Sequence, residues 1–306
     1  MKTNFSHIGL AKLCGWFGLT RQAYYQNGWK GIDISIEEEI LLSEVSTIRE
    51  VHKRMGTRKL HDKLCTFMID HQIKMGRDAL FDLLSSNHML VRKRTRRIQT
   101  TQSHHWLRKY KNLIRGFVPT GSNQLWVSDI TYWKINGIYV YISFITDAFS
   151  RKVVGYHVAL TLETVETIKA LKMALSELIL EPNTLLNLIH HSDRGVQYCC
   201  KEYVKLLHDN HIQISMTESG DPLENAIAER LNGILKDEYL NDSSVKSIYE
   251  ARLLLAKSVR LYNEDRPHMS IGNHYPSQVH QQSLKTDRLW KNYYKKKPIL
   301  VNQSQD

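Results

Sequence analysis

Three acidic side chains, Asp129, Asp193 and Glu229, stand where carboxylates could do metal-assisted chemistry. Asp129 lies in the run Trp126-Val127-Ser128-Asp129-Ile130-Thr131-Tyr132, Asp193 directly follows His190-His191-Ser192, and Glu229 lies beyond Met216 in a helical stretch. Taken singly, each has an ordinary reading: a strand-end residue, an Asp193–Gly195 turn, a solvated helix position. Taken together they form a set of three carboxylates, and such a set, once gathered, repels itself. A hard divalent cation resolves the repulsion, since Mg²⁺ prefers oxygen ligands and binds through a few carboxylates plus substrate phosphate, with Mn²⁺ as a substitute. Two such ions about 4 Å apart would clamp the attacking and leaving oxygens of an in-line phosphoryl displacement.

The elements that must position these acids follow from periodicity. From Gln124 apolar residues alternate with a period of two, giving a strand over residues 125–133. Asn136-Gly137 is a hairpin signal, and further strands are expected over 137–149 and 152–159. A helix over 162–181 stops before Pro182-Asn183, and 185–191 reads as a short apolar strand of the kind buried in a parallel sheet. Residues 201–210 read as helix, 212–216 as strand, and 223–239 and 247–263 as helices, before a tail holding Lys295-Lys296-Lys297. Three consecutive strands followed by alternating helix and strand is the order of the ribonuclease-H-like fold, an α/β class with a mixed five-stranded sheet. Its first and fourth strands are neighbours, which lets Asp129 and Asp193 converge at the strand ends while the later helix carries Glu229 over them. At about 100° per residue Glu224 points well away from Glu229, whereas Asn225 and Lys236 share its face. Lys236 thereby stands about two turns from Glu229 on the same face, within reach of a phosphate beside the ions.

The first hundred residues read as helical: a helix-turn-helix pattern over residues 9–25 with its turn at 15–19 and Thr20 as cap, then a capping box at Ser35 and Glu38 opening a long helix that ends near Gly56. Shorter helices are expected over 57–69 and 77–86. This divides the chain into an all-α, helix-turn-helix-like DNA-binding region (1–90), a basic linker (91–120), the catalytic core (121–240), and a C-terminal helix with basic tail (241–306).

Charge points to the same class of partner. The chain of 306 residues carries +11, and between Leu83 and Ser128 there is no acid but nine basic residues. Arg92, Lys93, Arg94, Arg96, Arg97, Arg108 and Lys109, with Lys111 and Arg115 beyond, are interleaved with His104, His105, Trp106 and Tyr110. Like charge mixed with planar groups suits a phosphate backbone with stacking bases, so double-stranded DNA is the expected partner. The 42% of hydrophobic residues excludes disorder along the whole chain, and no apolar run reaches the roughly 20 residues of a membrane span. Lys12 interrupts the apolar start, so a secretory signal is not expected and a cytoplasmic chain is. Four cysteines without a CxxC give neither a disulfide framework nor a zinc finger. His190 and His191, adjacent in a strand, point to opposite faces and cannot share an ion. Asp147 reads as a turn residue pairing with Ser150 or Arg151.

Three strings carry a more specific likeness. Trp126 to Tyr132, His191-Ser192-Asp193-Arg194-Gly195-Val196-Gln197-Tyr198 and Asn225-Ala226-Ile227-Ala228-Glu229-Arg230 resemble the three catalytic blocks of OrfB-type DDE insertion-sequence transposases, in the superfamily of retroviral integrases. Gly155, Tyr262-Asn263, Arg266-Pro267-His268 and Pro276 are similar to that family too, as are the thirty-five residues separating Asp193 from Glu229. The chain departs from it at Glu224, where the family often has Asp. The resemblance implies Asp129, Asp193 and Glu229 as catalytic metal ligands, cleavage and strand transfer at insertion-sequence ends, terminal inverted repeats and target DNA as substrates, a homo-oligomer on DNA that is nucleoid-associated when bound, and an upstream OrfA product or fusion as partner. A nuclease of this fold that only hydrolyses, and a non-catalytic DNA-binding regulator, are the alternatives.

Overall fold

A computed structural model describes residues 8–91, 106–179, 187–218 and 222–287, with side chains over all of these except 26–35 and 222–223. The chain divides into two compact units, Met1–Arg92 and Lys93–Asp306.

The first unit is helical: α1 (Leu10–Trp16), α2 (Arg21–Val51), α3 (Thr57–Asp70) and α4 (Arg77–Ser86). Thr20 Oγ1 accepts the Ala23 amide at 3.1 Å and so caps α2 as the sequence suggests. The second expected cap fails: α2 runs unbroken through Ser35, which is a helix-interior position. Leu41, Val45 and Ile48 of α2 meet Leu60, Leu64 and Met68 of α3 and Leu80, Leu83 and Leu84 of α4 in one apolar core.

The second unit is built on five strands, β1 (Leu125–Ile135), β2 (Ile138–Asp147), β3 (Val153–Ala159), β4 (Ile189–Ser192) and β5 (Gln213–Met216), in the order β3-β2-β1-β4-β5. The first three are antiparallel, joined at Asn136-Gly137 where both residues take positive φ as a tight hairpin requires. β4 and β5 run parallel to β1, giving the mixed ribonuclease-H-like sheet. Its helices are α5 (Thr164–Ile179), α6 (Val196–Cys199), α7 (Lys201–Asp209), α8 (Ala226–Leu235), α9 (Ile248–Glu264) and α10 (Pro276–Gln282). Strand alternation feeds two cores: Trp133, Val140, Ile142 and Phe144 pack on α8 and α9, while Trp126, Ile145 and Val154 pack on α5 and α7. Gly155 is required where it stands, because the Ala170 carbonyl of α5 occupies the space a Cβ would need.

The expected single helix over 223–239 is three pieces: a 3₁₀ turn (Pro222–Asn225), α8, and a π turn (Lys236–Leu240). Buried Arg266 grips Glu238 of the π turn with two bonds of 2.6 and 2.7 Å, which gives a structural reason for the Arg266-Pro267-His268 string. Among the described residues no helix is long and apolar enough to cross a membrane.

Candidate active site

β1 and β4 pair only over Leu125–Val127 and Ile189–His191, with Val127 opposite His191. Two residues further on lie Asp129 in β1 and Asp193 just past the end of β4, so the parallel register brings these two acids to the same end of the sheet. The carboxyl ends of strands are where open α/β sheets place their sites.

α8 and the turns at its two ends are fastened to β1 by three side-chain bonds. Asn225 Nδ2 donates to the Ser128 carbonyl at 3.0 Å, Asn232 Nδ2 donates to Asp129 Oδ2 at 2.7 Å, and Lys236 Nζ donates to Thr131 Oγ1 at 3.2 Å. These three bonds fix the helix so that Glu229, exposed to solvent, faces Asp129 strongly enough to perturb it. The Asp129 carboxyl is pushed from 3.8 to about 8, first by burial and then by the charge of Asp193; Glu229 adds to the rise, while the Ile130 amide and Asn232 oppose it. Asp193 is anchored through Oδ1, which accepts the Gly195 amide at 2.9 Å. All three predicted acids are therefore in electrostatic contact. Among the described residues no three His, Cys, Asp or Glu side chains stand close enough together to hold one metal ion.

Oxygen atoms of the kind found here are the donors that a hard divalent cation prefers. The set consists of carboxylate oxygens held near one another against their repulsion, and Asn232 Oδ1 beside Asp129 is a buried acceptor with no protein partner. Asn232 was not anticipated from the sequence, although its position three residues after Glu229 on one helix placed it within reach of the same face.

Glu224 lies apart from Glu229, for a reason other than helix rotation. It sits in the 3₁₀ turn, where its carboxylate accepts the Glu218 amide at 2.7 Å and meets Arg115 at 3.5 Å. Lys236 ends α8 with its ammonium 4.5 Å from the Tyr132 ring centroid; burial lowers its pKa, while Asp237 and Asp129 oppose that shift. His190 and His191 are held separately, by the Tyr203 hydroxyl at 3.0 Å and by Ser215 Oγ at 2.8 Å. Burial lowers their pKa values to about 3 and about 4, so both rings are neutral near pH 7. Asp147 is the turn residue expected, accepting from the Ser150 amide and hydroxyl. Of the basic stretch, Arg108 stacks over Tyr110 at 5.1 Å and Lys109 lies near Cys199; Arg92, Lys93, Arg94, Arg96 and Arg97 fall outside the described residues.

Two integrase core domain families match residues 119–222 and 210–276. The chain is 31% identical over 273 residues to the 31 kDa protein of insertion element IS600 from Shigella sonnei, covering 87% of this chain and 96% of that one. It is 30% identical to the transposase of insertion sequence element IS629, also from Shigella sonnei, over 75% of each chain. The magnesium-bound catalytic core domain of HTLV-2 integrase aligns with 52% of this chain and 97% of its own, at 21% identity and a TM-score of 0.39. With these family matches and insertion-element relatives, the chain belongs to the DDE insertion-sequence transposases of the integrase superfamily.

Proposed function

We propose that Asp129, Asp193 and Glu229 form the catalytic centre of this DNA transposase and together hold magnesium, as two ions, for cleavage and strand transfer at the ends of its element. The observation that carries this reading is the state of Asp129, whose carboxyl is driven to about 8 by burial and by two facing acids. Such a site is short of positive charge. Bound there, magnesium would neutralise the acids and the transferring phosphate and align the attacking and leaving oxygens; manganese offers the same oxygen-ligand chemistry.

The chain's own groups hold and orient the reactants. Asp129 binds from β1, oriented by Asn232, and Asp193 binds from β4 with its loop closed on the Gly195 amide. Glu229, on the solvent side, completes the set as DNA enters. Lys236 offers its ammonium to a phosphate next to the ions. Arg108 and Lys109, with Arg92, Lys93, Arg94, Arg96 and Arg97, supply the diffuse backbone contact that neutralises further phosphates.

The same reading assigns DNA recognition to residues 1–90, a basic linker to 91–120, catalysis to 121–240 and support to 241–306. The substrates are the double-stranded terminal inverted repeats and target DNA, bound in the cytoplasm and at the nucleoid by a homo-oligomer that acts with an upstream OrfA product or as a fusion to it. The test is incubation with a pre-nicked element-end oligonucleotide, plasmid and Mg²⁺. Covalently joined strands are expected. Shortened strands without joining would instead identify a hydrolytic nuclease, and metal-independent binding without cleavage a regulator.

A further inference from the structure

One face of the β1–β2 hairpin is covered to its tip, with Trp133, Ile135 and Val140 buried against α8 and α9, while the opposite face extends beyond α5 and α7. On the face shared with Trp126 and Ile145, the apolar core under α5 and α7 ends before the hairpin tip, and Tyr139 and Tyr141 enter none of the apolar clusters formed by the described residues. Register pairs Tyr132 with Tyr141 and Lys134 with Tyr139, which gathers three phenol rings and one ammonium on one patch. Tyr139 is 51% exposed, and its ring lies edge-on to Tyr132 at 5.6 Å with Lys134 over it at 5.8 Å. Lys236 reaches the same patch from α8, over the other tyrosine at its root. Between Ile130 and Thr146 the only charged residue is Lys134.

Position along β1 ties this patch to the acids. Among the described residues the edge of β1 beyond Val127 has no strand partner; Asp129 and Thr131 lie on the face under α8, Lys134 and the tyrosines lie on the opposite face, and Lys236, bonded to Thr131 and 4.5 Å from the Tyr132 ring, spans that edge between them. At about 3.4 Å per residue, Lys236 meets the strand about 7 Å past Asp129 and Lys134 stands about 17 Å past it. Cations at intervals suit phosphates, and phenol faces between them suit bases. A duplex hides its base faces within its own stack, so the exposed Tyr139 ring, with Tyr132 and Tyr141 half-buried beside it, serves nucleotides outside a duplex.

We propose that the hairpin face receives unpaired nucleotides of the DNA strand leading away from the scissile phosphate, with bases stacked on Tyr139 and Tyr141 and phosphates at Lys236 and Lys134. The proposal rests on the transposase reading above and adds a strand-separation role to it.

The full chain is titrated, by fluorescence anisotropy, into a blunt duplex and into the same duplex bearing an oligo-dT tail. The wild-type chain should prefer the tailed probe. Tyr139→Ala should weaken tailed binding about tenfold and leave blunt binding unchanged, while Tyr139→Phe, which keeps the ring, should bind like wild type. Lys134→Ala should lower the salt dependence of tailed binding by about one counterion, which keeps the test decisive if Tyr139→Ala proves unstable. Equal weakening on both probes, a Phe variant as defective as Ala, or no change in any variant overturns the proposal. So does a Tyr139→Ala chain that sediments at a lower mass than wild type, since the face would then be a contact between copies. Wild-type binding to both probes alike removes this proposal alone; binding to neither removes the transposase reading with it.

Discussion

Asp129 and Asp147 lie on the same pair of antiparallel strands, three rungs apart, and their surroundings could hardly differ more. Asp147 is fully enclosed, and its oxygens accept from the Asn123 amide at 2.8 Å, the Ser150 amide at 2.7 Å and the Ser150 hydroxyl at 2.6 Å, with His280 Nδ1 3.7 Å away. Asp129 is only half-buried, yet it faces two other acids with an amide and one asparagine to offset them. Burial alone therefore does not distinguish a working acid from a structural one. The count of donors against like charges does: Asp147 is satisfied by the protein itself, whereas Asp129 faces more like charge than its donors offset, which supports its proposed role as a metal ligand.

The widest gap between the two should appear in chemistry. Asp129→Asn is expected to lower strand joining by at least about a thousandfold, the scale of removing a group that stabilises transition-state charge, while its folded fraction stays at the wild-type level. Asp147→Asn should keep wild-type joining per folded molecule. Single-turnover joining of a pre-nicked end, normalised to the folded fraction by circular dichroism, separates the two. If both variants lost joining equally, the distinction between the acids would collapse.

The order should invert in stability. Asp147→Ala leaves the Asn123 and Ser150 amides without an acceptor in the interior, at a cost of about 3 kcal/mol. Urea unfolding of the second unit's signal, read from its buried tryptophans, measures the shift. A midpoint unchanged from wild type would mean that water replaces the carboxylate at that corner.

A pH series sharpens the same contrast. Because the folded Asp129 holds its proton up to about 8 and the unfolded chain releases it near 3.8, stability linked to this group is full below about pH 4 and is lost as pH rises through about 8. In chelator, thermal melts of wild type and Asp129→Asn should agree at pH 4 and diverge by pH 9, with the variant melting higher. Magnesium should close that gap by raising the wild-type midpoint at pH 9. A gap that is independent of pH would show that no ionisation at this site is linked to folding.

Much of this was legible in the residues, and the misses have physical causes. The hairpin, the strand order and the meeting of Asp129 with Asp193 follow from alternation, Asn136-Gly137 and short apolar runs, all local signals. Ser35 and Glu38 have the spacing of a helix start, but a helix that Thr20 has already begun is not stopped by a cap pattern in its interior without proline or a competing fold. Glu224 was assigned to the same helix as Glu229 because periodicity cannot tell a 3₁₀ turn from an α-helical one over four residues. Asn232 went unnoticed because its role depends on where α8 crosses β1, and that crossing is tertiary information.

Asn232 supplies the finest test. Among the described residues its amide is the one side-chain donor on Asp129, and the bond favours the charged carboxylate that a metal needs. Asn232→Ala should therefore raise the Asp129 pKa further and weaken metal binding about tenfold, the usual cost of removing a group that orients a ligand. The magnesium concentration that half-saturates joining should rise, while the rate at saturating metal and the melting temperature change little. The acid limb of the pH profile should move to higher pH in the same variant. Asn232→Asp should be worse than Asn232→Ala, because it replaces a donor with another negative charge facing Asp129. An alanine variant with lower joining at saturating magnesium but an unmoved magnesium midpoint would assign Asn232 to helix packing, and leave Asp129 oriented by the Ile130 amide alone.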